Sequence, residues 1–247
     1  MEEKVTKQKF KFPTETVELP SKGLLYPKDS TLSSGKIEMK YMTAKEEDIL
    51  TNQNYIQKGI VLDKLLESVV ISKINLDDLV IGDKNAVLIA TRILGYGKEY
   101  SFTYGGEQIE IDLTELKNKY FDEDNITKGV NEFSYTLPST STQITFKLLT
   151  GKDEKKIDRE LEGLKKINKN ATPELSTRLK YTITSVEGET DTKTIREFVD
   201  NALLARDSRA LREYIRSIQP DVDLTWTLDS GEEVSIPMGI GFFWPDL

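Results

Sequence analysis

Four arginines, Arg206, Arg209, Arg212 and Arg216, recur at three- and four-residue steps in ARDSRALREYIRSIQPDVDL. On a helix that spacing lays them along one stripe, where planar guanidinium groups pair with carboxylates of the same chain or dock bidentately on an acidic partner. A solvated face is the plainer reading of any single arginine, but four on one stripe beside the Asp207-Ser208 helix start form a candidate interaction surface. Carboxylates offer another chemistry. Asp77-Asp78, Glu46-Glu47-Asp48 and Asp221/Asp223 are close in sequence. Adjacent residues on a helix or strand point apart, however, so these groups read as helix-start or surface charge and not as acid-base pairs. DEDNITKGVNEF from Asp122 imitates a calcium loop, but Thr127 stands where the turn needs glycine and Gly129 comes two residues late. It reads as a solvated acidic loop. The glycines of GYG at Gly95 and GIG at Gly239 lack the length and the lysine of a phosphate loop and read as turns.

Composition narrows the chemistry further. Among 247 residues there is no histidine and no cysteine. That removes Ser-His and Cys-His nucleophiles, thiolate chemistry, disulfides and the commonest transition-metal ligand. An enzyme would have to work with carboxylates, lysine or tyrosine. With 42 acidic against 34 basic residues, the formal net charge of −8 opposes a broad grip on a phosphate backbone. Nucleic acid is therefore not an expected partner. MEEKVTKQKFKFP has no apolar stretch of signal-peptide length, and no window approaches the roughly 18 consecutive apolar residues of a membrane span. The reading is a cytoplasmic protein with no membrane and no small-molecule substrate among its partners.

The elements that must position these groups mix helices and hairpins without strict alternation, which makes α+β the expected class. GKIEMKYM alternates Ile37, Met39 and Tyr41 against Lys36, Glu38 and Lys40, a strand with one wet face. Thr43 and Glu46 fit a capping box that opens a helix in TAKEEDILT. Ile60, Val61, Leu65, Val69 and Val70 recur near helical spacing, and a further helix in NAVLIATRILGYG ends at glycine. These two helices are the most apolar part of the chain and its expected core. YSFTYGGEQIEIDL is a hairpin turning at Gly105-Gly106, and NEFSYTLPSTSTQITFKLL is a second, looping at Pro138 to Thr142. DVDLTWTLDSGEEVSIPM turns at Asp229-Ser230-Gly231 and shares the plan of the first: aromatic strand, glycine turn with a following glutamate, aliphatic strand. Helices are expected over Asp153 to Lys169, from about Pro173 under a Thr172 cap, in TKTIREFVDNALL and in SRALREYIRSI.

Near the start, Pro13, Pro20 and Pro27 stand at seven-residue spacing, so residues 1–33 read as an extended N-terminal arm with short strands and a turn at Ser21-Lys22-Gly23. Its apolar residues, including Phe10 and Phe12 and above all Leu19, Pro20, Leu24, Leu25 and Tyr26, suit strand addition to a partner or wrapping around it. Removing residues 1–30 is expected to leave the body folded. That body, residues 34–247, is one unit or two lobes, 34–150 and 151–247. At the other end, Pro237 breaks the last strand and Phe242, Phe243 and Trp244 form an aromatic plug, with Pro245 restricting the tail. The groove it fills belongs to this chain or to a neighbour, and the need to keep three aromatic rings out of water favours this chain.

Three stretches, VELPSKGLLYP, LLARDSRALREYIRSIQPDVDL and the terminal IPMGIGFFWPDL, together resemble the T4-type bacteriophage baseplate hub and tail-assembly proteins, small late proteins of contractile-tailed phages. The resemblance implies a non-enzymatic structural or assembly role in the central hub, through contacts with other baseplate and tail proteins. It places the protein in host cytoplasm during assembly, and in the virion if it is a permanent part. A transient assembly chaperone absent from the virion is the alternative. A carboxylate-based tail-associated hydrolase, with two acids about 5–9.5 Å apart in a cleft, is a further rival. Proteins of this family often carry cysteine pairs at hairpin turns resembling zinc ribbons. Here those places hold Tyr104-Gly105-Gly106 and Leu228-Asp229-Ser230-Gly231, so neither zinc nor any other cofactor is expected and packing must hold the turns.

Overall fold

The computed structural model describes residues 13–167 and 173–243. The expectations for Phe10, Phe12, the helix end at Lys169, the Thr172 cap, Trp244 and Pro245 fall outside those residues. Among the described residues, eight helices and nine strands in four small antiparallel sheets make an α+β fold.

Strand β1 (Thr14–Glu18) pairs with β2 (Lys36–Lys40), Thr14 opposite Lys40 and Glu18 opposite Lys36. Ile37 and Met39 turn inward while Lys36 and Glu38 face water, as the alternation requires. The connection between the strands closes on itself. A Cβ on Gly23 would stand 2.5 Å from the Ser33 carbonyl oxygen, and one on Gly35 would stand 2.6 Å from the Lys22 carbonyl carbon. Both glycines also have positive φ, 78° and 69°, so no other residue fits either place.

Helices α1 (Ala44–Leu50), α2 (Gln53–Gln57) and α3 (Val61–Val69) follow. The capping box forms as the sequence requires, and its Glu46 is fully buried. Lys40 Nζ (2.8 Å), the Thr43 N–H (2.9 Å), the Thr43 hydroxyl (2.7 Å) and the Ser68 hydroxyl all donate to it. Burial alone would raise its pKa, but these donors outweigh it and hold the carboxyl at about 2.

Helix α4 (Ile81–Tyr96) buries more residues than any other described helix. Val87, Leu88 and Ile89 join Leu65, Leu66 and Val69 of α3 in one apolar cluster that also takes in Leu19, Leu25, Phe146, Leu211, Val222 and Phe242. The cluster runs across position 150, as do other links: the Ile81 N–H donates to the Leu149 carbonyl at 3.1 Å, and Lys155 pairs with Asp63 (3.0 Å) and Asp77 (2.6 Å). At the far end of α4, the buried Arg92 guanidinium donates to the carbonyls of Gly97 (3.0 Å) and Glu99 (3.1 Å). It thereby fixes the start of the hairpin β3 (Glu99–Tyr104) and β4 (Glu107–Asp112), which turns through Gly105 and Gly106 with φ of 59° and 88°.

Strands β5 (Phe133–Thr136), β6 (Gln143–Phe146) and β7 (Ile183–Val186) make the three-stranded sheet. Helices α5 (Gly151–Ile167), α6 (Glu174–Thr182) and α7 (Thr192–Asn201) form a layer stitched by charge: Arg178 clamps Glu154 (2.7 and 2.9 Å) and Arg196 clamps Glu160 (2.7 and 2.6 Å), each bidentately. Helix α8 (Ala205–Ile218), the hairpin β8 (Thr225–Thr227) and β9 (Glu233–Ser235), and a single turn at Ile240–Phe243 complete the described chain. Among the described residues no helix is long and apolar enough to cross a membrane.

The expectation that the extended arm over residues 1–33 offers its apolar residues to a partner is corrected in its described part. Leu19, Leu25, Tyr26 and Leu32 are core residues, each 5% exposed or less, and Pro20 is buried with them. Proline spacing reported the extended backbone correctly but carried no information about what that backbone packs on.

Candidate functional site

Leu19, Pro20, Leu25 and Tyr26 are unavailable to a partner because a polar knot holds them on α4. Asp83, in the first turn of α4 and fully buried, accepts the Ser21 N–H (2.9 Å), the Ser21 hydroxyl (2.6 Å) and the Tyr26 hydroxyl (2.5 Å). The Val80 N–H donates in turn to the Tyr26 oxygen at 3.1 Å. Burial pushes the Asp83 pKa up despite these donors, and burial beside Asp83 pushes the Tyr26 phenol up as well. Leu24 remains half-buried. One residue earlier in α4, a Cβ on Gly82 would stand 1.9 Å from the Pro220 carbonyl oxygen, so the chain leaving α8 crosses α4 at van der Waals contact. Asn85 Nδ2 donates to Asp221 at 3.0 Å beside that crossing.

The C-terminal stretch meets the same helix. Phe242 and Phe243 are each 1% exposed, and their turn contacts α4. Phe242 stands edge-on to Tyr100 at 4.8 Å and to Phe243 at 5.2 Å, and the Tyr100 hydroxyl donates to the Pro237 carbonyl at 3.2 Å. The two aromatic hairpins of similar plan are joined at their tips, where the Tyr104 hydroxyl donates to Glu232 at 2.7 Å. Phe242 and Phe243 thus pack on their own chain; Trp244 lies outside the described residues. Residues 17–27, 203–224 and 236–243, far apart in sequence, converge on one helix.

The arginines of α8 are placed differently. The inner face of that helix is fixed by Leu211, fully buried, and by Tyr214, whose ring stacks on Tyr135 at 4.8 Å. Asp207, also fully buried, accepts the Ser139 N–H (2.8 Å) and the Thr140 hydroxyl (3.1 Å), tying the β5–β6 loop to the start of α8. Burial works to raise the Asp207 pKa, but those donors from Ser139 and Thr140 prevail and lower it. Arg206, Arg209, Arg212 and Arg216 all face water. At about 100° per residue they span an arc of about 120° and a rise of about 15 Å. Arg209 pairs with Glu213 at 2.7 Å and Arg212 Nε donates to the Ser208 carbonyl at 3.3 Å. Glu213 is held low first by Arg209, with Arg216 and Arg212 adding to the field. Among the described residues Arg206, Arg212 and Arg216 form no ion pair, which leaves a positive face on an acidic protein. Leu204, 49% exposed, sits at its N-terminal edge. Composition gave no reason to notice Leu204.

Several clefts hold more than one acid; Glu115 and Asp223 line one of about 370 Å³. Glu67 and Asp77 share a cleft of about 240 Å³ with Lys155, which pairs with Asp77, while Glu67 pairs with Lys64. Asp29 and Asp78 line another of about 390 Å³ between Tyr26 and Asn131. Among the described residues no three acidic side chains converge as metal ligands would. No protein-family model, no curated protein and no solved structure matches the chain.

Proposed function

We propose that this chain is a non-enzymatic structural or assembly protein of a contractile-tailed phage baseplate hub and that it acts by contacts with other tail proteins. The observation that carries the reading is the outer face of α8, where four exposed arginines have one internal carboxylate among them. Arginine is the residue best suited to bidentate docking on a partner's carboxylates. The sequence resemblance supports the hub assignment, and its three stretches have a common structural role in framing α4. The reading divides labour between them: the frame gives the chain its shape, and the helix it holds presents the contact surface.

Mass spectrometry of purified virions tests the assignment. Stoichiometric recovery with hub proteins identifies a permanent part. Recovery with hub intermediates but not with finished particles identifies a transient assembly chaperone. Absence from both overturns the reading.

A further inference from the structure

We propose that the arginine face of α8 binds the acidic, aromatic loop Tyr120–Asp124 of a second copy of this chain, giving a two-fold symmetric dimer. The inference rests on the reading of α8 as the contact surface and names the occupant of that face before another tail protein takes it.

The loop reads Tyr-Phe-Asp-Glu-Asp. Phe121 is buried and anchors it, while Tyr120 is 88% exposed and Asp122, Glu123 and Asp124 face water. Three carboxylates and an open ring, with no basic residue among the five, match a row of guanidinium groups through charge-assisted hydrogen bonds and cation–π contact. Each patch is only lightly engaged within its own chain. Asp122 accepts from the Asp124 N–H (3.1 Å) and from Asn125 Nδ2 (2.8 Å), Glu123 pairs with Lys22, and Arg209 pairs with Glu213. Such exposed pairs are weak and give way to better ones. No ion pair links the loop to the arginine row within one chain, among the described residues.

Placement makes the two patches self-complementary. The Asp223 N–H donates to the Lys117 carbonyl at 2.7 Å, and the Lys119 N–H donates to the Asp221 carbonyl at 2.8 Å. The acidic loop therefore leaves the body where the chain emerges from α8, whose last residue is Ile218. A protein with a positive and a negative patch side by side can meet its copy about a two-fold axis, each positive patch on the other's negative patch, so that both contacts form at once. The net charge of −8 repels any two copies, so a contact that joins opposite patches is the kind that offsets it.

Sedimentation equilibrium of the full chain in about 50 mM and about 500 mM salt reads the outcome, because exposed charges lose most of their mutual attraction at the higher value. The expected result is a monomer–dimer equilibrium weakened about tenfold or more by salt. Arg209→Glu with Arg212→Glu, and separately Glu123→Lys with Asp124→Lys, should each be monomeric, and an equimolar mixture of the two variants should dimerise again. Both variants should keep the wild-type melting temperature. A wild-type chain that stays monomeric in low salt overturns the proposal. So does a dimer that survives both charge reversals, or an arginine face that binds duplex DNA in place of a second copy. The hub assignment is read independently from virions, so either result can fail without the other.

Discussion

The segment Leu19–Tyr26 and the outer face of α8 both look like contact surfaces in sequence, and the fold treats them in opposite ways. Ser21 and Tyr26 find a buried acceptor in Asp83, 62 and 57 residues away, and their apolar neighbours follow them into the core. The arginines at 206, 212 and 216 find no carboxylate among the described residues and stay in water. The difference lies in whether the polar groups of a segment are satisfied at home. A buried polar group without a partner costs about 1–3 kcal/mol, so a segment whose hydroxyls meet a built acceptor can be internal, and one whose cations do not must remain outside.

The largest way to break this comparison is to remove residues 1–30. If that segment were an accessory arm, the remainder would fold. Because the deletion strips Leu19, Leu25 and Tyr26 from the core and leaves Asp83 buried without its three donors, the truncated chain is expected to show no cooperative thermal transition by circular dichroism. A wild-type-like melt would return residues 19–26 to the surface.

The next largest effect extends the test to the chain end. Phe242→Ala with Phe243→Ala deletes two fully buried rings, each worth about 3–5 kcal/mol in a well-packed site, against a typical total of about 5–15 kcal/mol. The isolated double variant should be insoluble or melt far below the wild type. If the rings served a neighbouring subunit, the isolated variant would melt unchanged.

Much of the fold was legible because local grammar determines it. The Gly105-Gly106 turn, the Thr43/Glu46 capping box and the apolar run of α4 each announce themselves within a few residues. What was not legible depends on distant partners. Strand β7 is four residues long and exists because β6 offers an edge, with Thr145 opposite Ser185. The burial of Asp207 depends on the Ser139–Thr140 loop, so a residue expected merely to mark a helix start became a tether. The arginine stripe was legible as a stripe from its spacing. Its exposure was not, because exposure depends on which elements cover the helix.

A buried charge sharpens the comparison at moderate size. Glu46 sits among built donors, and its folded-state pKa of about 2 lies below the ordinary glutamate value of about 4.3. Its contribution is therefore complete above that ordinary value and is lost as pH falls towards about 2. Glu46→Gln should lower the urea midpoint at pH 6 by an amount equivalent to about 1.5–3 kcal/mol, and the gap to wild type should narrow on acidification to about pH 2. A gap that does not change with pH would show that the charge is irrelevant there. At the small end, Arg209→Glu with Arg212→Glu should shift stability by no more than about 0.5 kcal/mol, measured by urea unfolding, since exposed charges away from built networks rarely matter more.

The absence of cysteine from the whole chain makes the central contrast directly measurable. Ser21→Cys and Arg212→Cys each introduce one thiol, and the rate at which a maleimide labels it in the native protein reports its access to water. Because Ser21 is fully buried against Asp83 and Arg212 faces solvent, the Arg212→Cys variant should label like a free thiol, and Ser21→Cys should label at least about a hundredfold more slowly, limited by opening of the core. Equal rates would contradict the account, because the N-terminal segment would then be as open as the arginine face.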